Sequence, residues 1–147
     1  MTRISEADYS RILRNQQRPA RQATTLPCPT EAQEQEAVIV WANSMVGRWP
    51  ELQLLHHIPN GEERSKAAGA RLKAQGVKAG APDLSLPVAR GGWHGMYVEL
   101  KRADRSNHPS PAQAAWIERL RANGYMVVVA YGADEAIRAI EHYLEMS

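Results

Sequence analysis

Two short apolar runs on either side of a glycine turn constrain this chain more than any other feature. Pro82-Asp83-Leu84-Ser85-Leu86 leads to Arg90-Gly91-Gly92-Trp93, and then to Met96-Tyr97-Val98-Glu99-Leu100-Lys101. The pattern predicts a β-hairpin. Residues i and i+2 of a strand share a face, so Glu99 and Lys101 project together while Leu100 points away. Asp83 opens the partner strand and reaches the same end of the sheet. Two carboxylates and an ammonium converging on one face make an oxygen-ligand site for a hard cation, with a lysine beside it. Asp and Glu-x-Lys patterns also occur on solvated strands that do no chemistry, and Asp after Pro is a common turn residue. The hairpin alone leaves both readings open.

The rest of the chain supplies context. Its 147 residues suit one domain with a real core. With 44% hydrophobic and 23% charged residues, a globular fold is expected. No apolar run approaches the roughly 18 residues that cross a membrane, and the segment from Met1 to Glu6 lacks the apolar core of a signal peptide. Cys28 is the single cysteine, which excludes an internal disulfide and a cysteine-based zinc site. A cytoplasmic location is the expectation.

The net charge of +2 is unevenly spread. Residues 64–105 carry nine Lys and Arg against three acids, whereas residues 26–63 carry one base and six acids. The basic block surrounds the hairpin. Carboxylates that hold a metal inside a basic field suit a polyanionic substrate. A solvated surface rich in Lys and Arg accounts for the same count.

In chain order, residues 4–15 are expected to form a short helix and residues 16–29, with Pro19, Pro27 and Pro29, an extended arm. Arg11, Arg14, Arg18 and Arg21 make that arm basic. Thr30 and Gln33 form a capping-box signature for a helix to about Gly47, with an apolar stripe of Val38, Trp41, Ala42, Met45 and Val46. Residues 52–58 read as a strand, in which His56 and His57 point to opposite faces and so make a poor zinc site. Residues 62–75 read as a basic helix ending at Gly76. Ser110, Pro111 and Gln113 start a helix with Ala114, Ile117 and Leu120 towards the core. Residues 125–131 read as a buried strand, and residues 134–144 as a last helix with Ile137, Ile140 and Leu144 inside. The strands on either side of the helix at 110–123 should be parallel, and the earlier three an antiparallel meander.

That order of elements, with Pro-Asp and Glu-x-Lys on the hairpin, resembles the core of the PD-(D/E)XK nucleases. Four segments are similar to the VRR-NUC domain: Ile58-Pro59-Asn60-Gly61, Gly76 to Asp83, Gly91 to Lys101, and Ser110-Pro111-Ala112-Gln113. That domain occurs as a stand-alone phage or bacterial protein and as the nuclease module of Fanconi-associated nuclease. The resemblance covers roughly residues 30–145, which divides the chain into a basic arm at 1–29 and a nuclease domain at 30–147. It implies an α/β fold with a small mixed sheet flanked by helices.

The resemblance also implies a set of roles. Asp83, Glu99 and the carbonyl of Leu100 become ligands for Mg²⁺ or Mn²⁺, and Lys101 stands beside the attacking water. The acid of the first helix, seven residues before Trp41, falls on Glu34, which would hold a second metal or its water shell. Gln113 falls on a glutamine of the family motif, although its capping role is a sufficient explanation. Arg64, Lys66, Arg71, Lys73, Lys78 and Arg102 are the expected DNA contacts. The expected activity is cleavage of branched, Holliday-junction-like DNA, and the stand-alone type implies a homodimer. Trp49, Leu52 and Trp93 are the apolar candidates for its interface, unless they pack within their own chain. A non-catalytic nucleic-acid-binding module is the rival reading, and a nuclease for tRNA or a specific duplex sequence ranks below it.

Overall fold

Two capping boxes fix where the helices that frame the sheet begin. The Thr30 hydroxyl accepts the Gln33 amide and the Gln33 side chain accepts the Thr30 amide; Ser110 and Gln113 repeat the arrangement. These caps start α1 (Glu31–Ser44) and α3 (Pro111–Ala122). The computed structural model describes residues 26–60 and 65–147. The expected helix at 4–15, most of the basic arm and Arg64 lie outside the described residues.

Between and after these helices lie a 3₁₀ turn (Pro50–Leu54), β1 (His56–His57), α2 (Lys66–Ala74), β2 (Leu84–Leu86), β3 (Met96–Lys101), β4 (Met126–Tyr131) and α4 (Ala133–Glu145). The sheet order is β1-β2-β3-β4, with β1–β2 and β2–β3 antiparallel and β3–β4 parallel. The expected meander and the parallel crossover through α3 are both present.

Strand alternation divides the sheet into two chemically different faces. Met96, Val98 and Leu100 of β3, with Met126, Val128 and Ala130 of β4, are buried in one core with Val38 and Ala42 of α1 and Ala136, Ala139, Ile140 and Tyr143 of α4. Tyr97, Glu99 and Lys101 project to the opposite face, towards α3. There α3 turns Gln113, Ile117 and Leu120 to the sheet, and Ala114, expected in the core, is exposed. One helical step of about 100° separates Gln113 from Ala114, so only one of them faces inward.

The segment expected as a strand at 52–58 begins in the 3₁₀ turn and is strand only at His56–His57. Pro50 at its start presets the helical φ, and Leu52 and Leu55, three apart, are the buried positions. Spacing by three fits a 3₁₀ turn, where i and i+3 eclipse, and not an alternating strand. The interface candidates also change. Leu52 is 2% exposed and Trp93 7%, both within their own chain's core. Trp49 is half-buried beside Trp41, with the Arg48 guanidinium 4.2 Å from its ring centre. Val40 and Leu54 are the large apolar side chains left exposed on the helix and turn.

The loop into β2 is placed by backbone contact. Gly80 has φ of +87°, and a Cβ there would lie 2.7 Å from the carbonyl carbon and oxygen of Ala112 on α3. Gly76 has φ of +99° with open space around it. Gly80→Ala should therefore destabilise the chain by more than the roughly 1–2 kcal/mol of backbone strain expected for Gly76→Ala. Equal urea midpoints for the two variants would contradict the close approach.

Candidate functional site

The site forms where β2 begins and β3 ends. Asp83 immediately precedes β2 and is fixed at both its backbone and its side chain. Its carbonyl accepts the Ile58 amide at 2.8 Å, and the His57 ring nitrogen Nδ1 lies 2.9 Å from the same oxygen. Its Oδ2 accepts the Leu100 amide at 2.7 Å. A side-chain acceptor thus replaces the ladder bond that a longer β2 would have made. Leu100 buries its side chain in the core, and its amide is committed to Asp83, so any ligand role belongs to its carbonyl.

Glu99 is fully buried on the α3 face. Its Oε1 accepts Lys101 Nζ at 2.7 Å and Gln113 Nε2 at 2.6 Å. Gln113 therefore does two things at once: its oxygen closes the helix cap and its nitrogen holds Glu99. Burial pushes the Glu99 pKa up to about 7, the charge of Asp83 adds to the rise, and Lys101 opposes it. Asp83 is likewise raised by burial, against the Leu100 amide and the Lys101 charge.

The second oxygen, Glu99 Oε2, is buried with no hydrogen-bond partner. A buried carboxylate oxygen in that condition is costly, and a cation is the partner that relieves it. Among the described residues, no three His, Cys, Asp or Glu gather closely enough to cage a metal alone. Mg²⁺ is ordinarily held by one or two carboxylates, with water and substrate phosphates completing its shell. An Asp–Glu pair of hard oxygens fits that habit.

The helix acid expected at the site is engaged by the start of α4. Glu34 lies on the buried stripe of α1, four residues before Val38 and eight before Ala42, and its Oε2 accepts the Ala133 amide at 2.8 Å. It caps α4, whose own N-cap, Gly132, has no side chain to do so. Glu31, one turn earlier, faces the site instead. Its Oε1 lies 3.8 Å from Lys101 Nζ and accepts Asn107 Nδ2. Spacing of i and i+3 keeps the two acids on adjoining faces, so periodicity alone did not choose between them.

The expected DNA contacts divide similarly. Lys66, Arg71, Lys73 and Lys78 are exposed, and no residue of α2 is buried. From Ser65 to Pro82 there are four bases and no acid, in the segment that leads directly into Asp83. Arg102 is paired with Asp104 at 3.2 Å and is less available.

Two expectations follow. Glu34→Ala should lose about 1–2 kcal/mol of stability because it uncaps α4, whereas Glu31→Ala should change the urea midpoint little. The second concerns pH. In metal-free buffer, Glu99 is protonated up to about 7 when folded but only to about 4.5 when unfolded. The folded state thus binds more protons within that window, and stability should fall as pH rises through it, at up to about 1.4 kcal/mol per unit. Asp83, also raised by burial, acts in the same direction, so Glu99→Gln should reduce this slope without abolishing it. A wild-type slope that persists undiminished in Glu99→Gln would contradict the assignment.

The sequence pattern of the VRR-NUC domain matches residues 14–134. A solved structure described as a VRR_NUC domain protein is 35% identical, with a TM-score of 0.69, over 83% of this chain and 93% of that one. No curated protein matches. The pattern spans most of the chain and the solved relative carries the same fold, so the chain belongs to the VRR-NUC family of nuclease domains.

Proposed function

We propose that this chain is a divalent-metal-dependent DNA endonuclease acting on branched DNA. The observation that carries the reading is Glu99: one carboxylate oxygen is held by Lys101 and Gln113, and the other is buried and unpartnered beside Asp83. Asp83, Glu99 and the Leu100 carbonyl would hold Mg²⁺ or Mn²⁺. When bound, the cation supplies a Lewis acid for a phosphodiester oxygen.

The chain's own groups supply the rest. Lys101, 4% exposed and anchored on Glu99, is a fixed positive charge for the negative charge that develops at phosphorus. Gln113 keeps the Glu99 carboxylate turned so that its other oxygen stays available. Glu31, rather than Glu34, takes the role of the helix acid. Lys66, Arg71, Lys73 and Lys78 give a phosphate-binding surface continuous with the site, and their contribution should weaken steeply with salt. No helix among the described residues is long and apolar enough to cross a membrane. Paired cuts on a four-way junction require two sites, which a two-fold homodimer would bring. The exposed Val40 and Leu54 are the apolar surface such an interface would cover.

Cleavage of a labelled four-way junction, a 5′ flap and plain duplex tests the reading. Mg²⁺ or Mn²⁺ should support cutting, and Ca²⁺ should support little. Asp83→Ala and Glu99→Ala should abolish it while DNA binding persists, and Lys101→Ala should slow turnover by at least about a hundredfold. Full activity in EDTA, or in any of these variants, contradicts the proposal. Equal rates on the three substrates contradict the branched preference.

A further inference from the structure

The loop from Arg102 to Pro109 joins β3 to α3, and its own side chains hold its shape. Asp104 Oδ1 accepts the Ser106 amide at 3.0 Å, and Asp104 Oδ2 accepts Arg102 Nη2 at 3.2 Å. Arg105 has φ of +59°, a left-handed conformation that side chains other than glycine adopt rarely. Its guanidinium lies 4.3 Å from the Tyr131 ring centre and 2.5 Å from Glu135. A strained residue held from two sides is a sign that the loop's path matters.

That path turns Asn107 inward. Its Oδ1 accepts the Arg102 amide at 3.2 Å, and its Nδ2 donates to Glu31 Oε1 at 2.5 Å. The amide orientation follows from its partners, since the backbone N–H requires an acceptor and the carboxylate requires a donor. Asn107 therefore ties the residue directly after Lys101 to the acid on α1. Glu31 needs such a tie. Its side chain is 38% exposed and lies 3.8 Å from Lys101 Nζ, and a free Glu loses substantial rotamer entropy on being fixed.

We propose that Asn107 is a positioning residue, holding the Glu31 carboxylate towards Lys101 and the Asp83–Glu99 pair. The inference rests on the reading of Glu31 as the helix acid of the site. A donor to a site carboxylate acts on turnover through that carboxylate, without itself touching the substrate.

Cleavage by the full chain at saturating Mg²⁺ tests this, with Asn107→Ala, Asn107→Asp, Glu31→Ala and the Glu31→Ala/Asn107→Ala double variant. Asn107→Asp keeps the oxygen that ties Arg102, removes the donor to Glu31 and sets a second negative charge against that carboxylate. Both Asn107 variants should lower kcat by roughly tenfold or more, with DNA affinity unchanged. In the Glu31→Ala background, Asn107→Ala should have no further effect. If Asn107→Asp cuts like wild type, or if the two losses multiply in the double variant, the inference is overturned. Melting temperatures identify an unfolded Ala variant, in which case the Asp variant decides. If Glu31→Ala itself cuts normally, the reading of Glu31 fails and takes the inference with it. If Glu31→Ala is slow and the Asn107 variants are not, only the assignment of Asn107 fails.

Discussion

A carboxylate buried in the middle of a sheet dictates most of what surrounds it. Glu99 has no exposed surface, and an ionised group in that position demands charge and donors at close range. Lys101 answers from the same strand, two residues on, because alternation places it on the same face. Gln113 answers from α3, and it can do so only because the helix starts at Ser110. Moving that cap by one residue would rotate Gln113 away by about 100°. The capping box is therefore part of the site, although its chemistry is ordinary helix termination. What the arrangement leaves unsatisfied, Glu99 Oε2, is the atom on which a cation would act.

Asp83 shows the complementary device. It is fixed by β1 through its carbonyl and by β3 through its carboxylate. Both attachments exist because β2 is short and starts just after it. The preceding loop is seated by Gly80 on α3, by the Trp116 indole on the Ala79 carbonyl and by Asn60 on the Ala81 carbonyl. By contrast, α2 buries none of its side chains. The acid is thus rigidly placed while the adjoining basic helix is weakly packed, a division that suits a fixed reaction centre next to a surface that must accommodate a substrate of variable shape.

Alternation on β3 makes the core of the site legible in the sequence: Glu99 and Lys101 on one face, Leu100 on the other, and Asp83 at the strand's partner end. The order of elements supplied the topology, and the family-like motifs supplied the fold family. The helix acid was not legible in the same way. Glu34 lies on the apolar stripe with Val38 and Ala42, which is a signal that it faces inward and needs a buried partner. The family resemblance placed the role on Glu34 by its spacing to Trp41 alone. The partner itself, the Ala133 amide, lies 99 residues away. Asn107 and Glu31 are separated by 76 residues, and no local pattern joins them. The strand expected at 52–58 is present only at His56–His57, because a run of apolar residues looks alike at spacing two or three until packing decides. Gln113 offered two readings, a helix cap or a site residue, and its side-chain oxygen and nitrogen carry one each.

The central claim is that Asp83 and Glu99 together bind a divalent cation. Anomalous diffraction from crystals soaked in Mn²⁺ tests it most directly. The account predicts a peak at ordinary oxygen-ligand distance, about 2.0–2.4 Å, from Glu99 Oε2 and an Asp83 carboxylate oxygen. A Mn²⁺ peak only at other groups, such as His56 and His57, or no peak beside Glu99 in well-ordered crystals, would contradict it.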